Sequence, residues 1–62
     1  MKMHMQSCIN NGGLYEVSIV SNNKTYDYEL TSEYAVRLVR AYIAKGWHGR
    51  AFELLKAKNR RI

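Results

Sequence analysis

The sequence predicts an α+β fold: a small antiparallel β-sheet packed by two C-terminal helices. Three observations carry that expectation. Apolar and polar residues alternate over 14–21 and again over 24–30, on either side of Asn22-Asn23. Apolar residues then recur at helical spacing over 32–45, a run closed by Gly46. A second helical period follows over 49–60.

The N-terminal segment 3–9 alternates loosely, with Met3, Met5, Ser7 and Ile9 on one side and His4, Gln6 and Cys8 on the other, and is expected as a third, edge strand. Asn10-Asn11-Gly12-Gly13 is a turn, because these residue types tolerate positive φ. Asn22-Asn23 suits a two-residue type I′ turn. Pairing outward from it places Ile19 opposite Tyr26, Val17 opposite Tyr28 and Tyr15 opposite Leu30, all on one face. The other face receives Ser18 with Asp27 and Glu16 with Glu29, a solvated and acidic surface.

Thr31 or Ser32 is placed to cap the helix 32–45, with Glu33 at its positive end. At about 100° per residue, Ala35, Val36, Leu38, Val39, Tyr42 and Ile43 share one broad arc, opposed by Glu33, Arg37, Arg40 and Ala44. An arc that wide needs two neighbours, the sheet and a second helix. Lys45-Gly46 ends the helix, a cation and then a residue free to turn left-handed. Trp47 is expected to fold back on the core. In the second helix Ala51, Phe52, Leu54 and Leu55 face inward while Arg50, Lys56 and Arg60 face out.

Sixty-two residues make a single small α+β domain, 1–62, in which folding buries only about 60% of the chain's surface. So few apolar positions can be spared that a preorganised active site is not expected, and the chain reads as no enzyme. The single cysteine, Cys8, excludes an intrachain disulfide. No apolar run is long enough for a membrane span, and the N-terminus lacks the apolar core of a signal peptide, so a cytoplasmic location is expected.

Several of these residues carry a likeness. Ser7-Cys8-Ile9 resembles a Ser-Ser-x-Ile-like opening, Tyr15, Val17 and Ile19 a Leu-x-Val-x-Phe strand, and Tyr26 and Tyr28 a Tyr-x-Tyr strand. Ala44-Lys45-Gly46 resembles a Ser-Lys-Gly turn, followed by an aromatic, Phe52, and a basic tail, Lys56–Arg61. Together they resemble the KTSC domain family of bacteria and phages, named from the C-terminal extension of some lysyl-tRNA synthetases. The family's Val-Pro after the second strand is replaced here by Leu30-Thr31. The resemblance implies no catalytic residues and an accessory role near RNA or phage machinery.

Charge divides the chain in two. Residues 1–33 hold Lys2 and Lys24 against Glu16, Asp27, Glu29 and Glu33, a net of −2. Residues 34–62 hold eight cations against Glu53, a net of +7. Spaced cations bind phosphates by releasing counterions, so the helical half is the candidate nucleic-acid surface. Arg37, Arg40, Arg50, Lys56, Lys58, Arg60 and Arg61 would contact phosphates, and Trp47 and His48 would add a stacking or phosphate contact. The competing explanation is a solvated helix face with cations complementing a helix C-terminus. A helix-turn-helix fits poorly, because Lys45 and Gly49 sit where an apolar residue and a helix former are wanted.

The expected function is a small non-enzymatic nucleic-acid-binding accessory module, RNA favoured over DNA. The alternative is a protein-binding adaptor or inhibitor of the phage or mobile-element type, using the edge strand or the acidic sheet face. A homodimer through the edge strand is a third expectation. Met1, Met3, His4, Met5 and Cys8 are soft ligands with no second cluster to complete a site, and Cys8 with His4 or His48 lacks a spacing that enforces a catalytic pair. No metal and no cofactor is expected.

Overall fold

The computed structural model describes residues 2–60. Its elements run β1 (Met3–Asn11), β2 (Leu14–Ser21), β3 (Lys24–Leu30), α1 (Glu33–Ala44) and α2 (His48–Lys58), and the strands form one antiparallel sheet in the order β1-β2-β3. The α+β architecture is as the sequence predicts.

The β2-β3 hairpin forms in the expected register. Asn22 and Asn23 have φ of 53° and 64°, the pair of positive values that a type I′ turn requires. Ile19 faces Tyr26, Val17 faces Tyr28 and Tyr15 faces Leu30. Val17, Ile19 and Leu30 are fully buried, and Tyr15 and Tyr28 pack against them. Tyr26 differs from the expectation: it lies at the rim, 37% exposed, with Phe52 edge-on to its ring at 5.5 Å. Tyr34 is 70% exposed.

Tyr28's phenol is held above its ordinary 10.0, first by burial and second by the neighbouring Tyr26. The folded chain therefore holds this proton more tightly than the unfolded chain. The stabilisation is fully present below pH 10.0 and is lost as pH rises through the raised folded value. Thermal melts above that pH are expected to show falling stability, and Tyr28→Phe to flatten the fall. An identical alkaline profile in the variant would assign the loss to other groups.

β1 departs from simple alternation. At the turn end Gly12 and Gly13 both have positive φ, so only these two residues turn and Asn11 pairs with Leu14. Counting back from there sets Ile9 opposite Glu16 on the outer face and Cys8 opposite Val17 on the core face. At the far end Met5 pairs with Ile19 and Met3 with Ser21, which also turns both methionines to the core. The two phases differ by one residue, and Gln6 absorbs it as a β-bulge between Met5 and Ser7. The expected grouping of Ile9 with Met3 and Met5 is thus corrected: Met3 is buried, Met5 and Cys8 pack on the core, and Ile9 is 59% exposed. His4 lies on the opposite side of the strand from Met3, Met5 and Cys8, so it does not join those soft side chains; Met1 lies outside the described residues.

Deleting Gln6 would leave Met5 inward, Ser7 outward, Cys8 inward and Ile9 outward, a regular ladder with both ends in their present register. The deletion is expected to shift stability by no more than about 1 kcal/mol. It should leave the labelling rate of the half-buried Cys8 thiol unchanged. Fast labelling with a collapsed melting temperature would mean that the strand had slipped.

Ser32 caps α1, its hydroxyl oxygen accepting from the Ala35 N–H at 3.4 Å. Ala35, Val36 and Val39 are buried, Leu38, Tyr42 and Ile43 half-buried, and the helix packs on α2 while touching β1 and β3, so its broad arc has the two neighbours it needs. Ala51 and Leu55 of α2 are fully buried, with Phe52 and Leu54 beside them. α2 stops at Lys58, short of the expected residue 60. Asn59 is extended, its Oδ1 accepting from the Glu29 N–H at 2.9 Å, and the Arg60 N–H donates to the Glu29 carbonyl at 2.7 Å. Two hydrogen bonds to the edge of β3 replace the last helical turn.

Candidate nucleic-acid interface

The site begins with how α1 ends. The Gly46 N–H donates to the Ile43 carbonyl at 3.0 Å and the Trp47 N–H to the Tyr42 carbonyl at 2.8 Å. Gly46 has φ of 80°. These are the two bonds of a Schellman motif, which brings the residue two past the cap against the last turn. Trp47 occupies that place, its ring tilted on Tyr42 at 5.7 Å. It packs on the end of the helix rather than the centre of the core and stays 42% exposed, a correction to its expected burial.

Two cations lie over this indole. Lys45 Nζ is 4.7 Å and Arg50 Cζ 4.9 Å from the ring centroid. Lys45, the α1 cap, reaches it from one side of the turn and Arg50, in the first turn of α2, from the other. α2 has no side-chain cap at its N-terminus and no acidic residue in its first turn, so nothing there offsets the positive end of the helix dipole. His48, the first residue of α2, is half-buried.

Among the described residues the remaining candidates do not form one continuous stripe. Arg37 is tied to Glu33 at 3.2 Å on an exposed face. Arg40 points towards β1, its Nη2 3.7 Å from Met5 Sδ, and lies about 140° around α1 from the Lys45 position. On α2, Arg50 and Lys56 are about 120° apart with Glu53 midway between them. Lys56, Lys58 and Arg60 are exposed, Arg60 beside β3, and Arg61 lies outside the described residues.

The concentrated feature is therefore Lys45, Trp47 and Arg50. Lys45 is absent from the candidates read from the sequence, where it served only to end a helix. Its signal was present: in Lys45-Gly46-Trp47 a Schellman glycine sits between a cation and an aromatic, and Arg50 follows one helical turn later. The arrangement offers two cations to an anion and a partly open aromatic face to a planar group. On the far side, Glu16 and Asp27 lie on the outer face of the sheet.

No family model, no curated protein and no solved structure matches the chain. Among the described residues no helix is long and apolar enough to cross a membrane.

Proposed function

We propose that this chain is a small non-enzymatic nucleic-acid-binding accessory module, RNA favoured over DNA, that contacts phosphates from its helical half. The observation that carries the reading is the half-exposed Trp47 with Lys45 and Arg50 over its ring, within the half of the chain whose net charge is +7. Cations beside an exposed aromatic are the elements that sequence-tolerant nucleic-acid binding uses. The resemblance to the KTSC family leans the same way.

The test is an NMR titration of labelled protein with a short duplex DNA and a structured RNA at two salt concentrations. Shifts centred on Lys45–Lys58 are expected. For about three phosphate contacts, affinity should drop roughly 20- to 40-fold between 50 and 200 mM salt. No shifts with either ligand, or equal affinity at both salts, would remove the reading.

A second reading, a protein-binding adaptor or inhibitor, is favoured by β1. This edge strand carries no Asp, Glu, Lys or Arg from Met3 to Asn11, and an open groove lined by Met5, Cys8, Arg40 and Ile43 runs between it and α1. The opposite edge is engaged by Asn59 and Arg60 at Glu29. Charge is the usual guard against strand addition, so β1 is the edge that would accept a partner's strand or a second copy's β1. Sedimentation as a monomer at every concentration would exclude the second copy. A partner complex unchanged by Glu16→Gln with Asp27→Asn would exclude the acidic face.

A further inference from the structure

We infer that the α1–α2 turn takes an unpaired nucleotide, its base stacked on Trp47 and its flanking phosphates held by Lys45 and Arg50. The inference rests on the nucleic-acid reading above and narrows it to single-stranded segments.

A stacking platform must be open and held in place, and Trp47 is both. Its ring is 42% exposed, and its backbone is fixed by the 2.8 Å bond to the Tyr42 carbonyl while the ring rests on Tyr42 at 5.7 Å. Little conformational freedom is left to lose on binding.

The cations now over the ring do not block this use. An exposed cation–π contact is weaker than the stacking of a base on an indole. Lys45 Nζ and Arg50 Cζ, at 4.7 and 4.9 Å, sit at the ends of flexible side chains. A base arriving on the ring displaces a cation onto the phosphate beside that base, where the contact becomes a charge-assisted hydrogen bond.

Two features argue against a duplex as the preferred ligand. Glu53 divides Arg50 from Lys56 on the exposed face of α2, and Arg40 is turned to β1, so among the described residues no row of cations tracks a helical backbone over several phosphates. One indole at a turn also cannot stack on bases already stacked within a helix, whereas bases in loops and single strands are open to it.

Trp47 is the only tryptophan, so its own fluorescence reports occupancy. The full chain is titrated with a single-stranded RNA decamer, with the same decamer in blunt duplex form, and with inorganic polyphosphate, which supplies phosphates without bases. The decamer should quench the emission, bind about tenfold or more tightly than the duplex, and lose roughly tenfold or more on Trp47→Ala. Trp47→Tyr should restore most of that loss, and polyphosphate should bind without comparable quenching.

Equal, salt-sensitive binding of decamer and duplex, with no quenching by either, would overturn the single-strand inference and leave the phosphate reading standing. Binding of neither would overturn both. If Trp47→Ala does not fold, the wild-type comparison of decamer with polyphosphate decides: equal affinity and equal quenching overturn the stacked base.

Discussion

Leu55→Ala is expected to leave little folded protein at physiological temperature. Leu55 is fully buried and is the largest α2 side chain in the core cluster that spans the sheet and both helices. Truncating a buried leucine costs about 2–5 kcal/mol through lost transfer energy and the cavity left behind. At about 0.05–0.15 kcal/mol per residue, a chain of 62 residues has roughly 3–9 kcal/mol in total. The loss is therefore comparable with the whole stability. Leu54, half-buried on the same helix, provides the comparison: Leu54→Ala should cost clearly less. Thermal unfolding followed by circular dichroism separates the two. A Leu55→Ala melting temperature within a few degrees of wild type would show that α2 is not needed to close the core.

The second large effect concerns binding. The double reversal Lys45→Glu with Arg50→Glu is expected to cut affinity for nucleic acid roughly 25- to 60-fold at 0.1 M salt, the loss of two phosphate contacts at slopes of about 0.7 to 0.9 each. The slope of log affinity against log salt should fall by about two contacts' worth. Arg37→Gln is the contrast. Arg37 is already paired with Glu33 at 3.2 Å and stands apart from the indole, so its loss should change affinity several-fold less. The reversal also removes two exposed cation–π contacts, about 0.5–1 kcal/mol each, which is small enough for the variant to remain folded. Equal losses from Arg37→Gln and the double reversal would point to a diffuse basic field and remove the Lys45–Trp47–Arg50 cluster as the focus.

Much of the molecule was legible in the residues because the deciding interactions are local. The Asn22-Asn23 turn sets the β2-β3 register, since two residues of positive φ admit only one outward pairing, and alternation then assigns each side chain its face. Ser32 and Lys45-Gly46 bound α1 through contacts within one turn. The basic helical half was equally readable, but its focus was not. Periodicity shows that Arg40 and Arg50 both lie off the core side of their helices; it does not show that Arg40 reaches Met5 while Arg50 reaches Trp47.

The sequence by itself determined the α+β order, the central hairpin, the limits of α1 and the separation of charge, all of which depend on neighbours within a few residues. Only the tertiary structure decided three things. The phase of β1 is set by both ends of β2 at once, and the two ends demand phases one residue apart, so Gln6 bulges and Ile9 rather than Cys8 faces out. The end of α2 is set by Glu29, thirty residues earlier in the chain, whose backbone is hydrogen-bonded to Asn59 and Arg60 where another helical turn would run. Which cations share an aromatic depends on how α1 and α2 meet at Gly46, a geometry fixed by the packing of both helices on one small core.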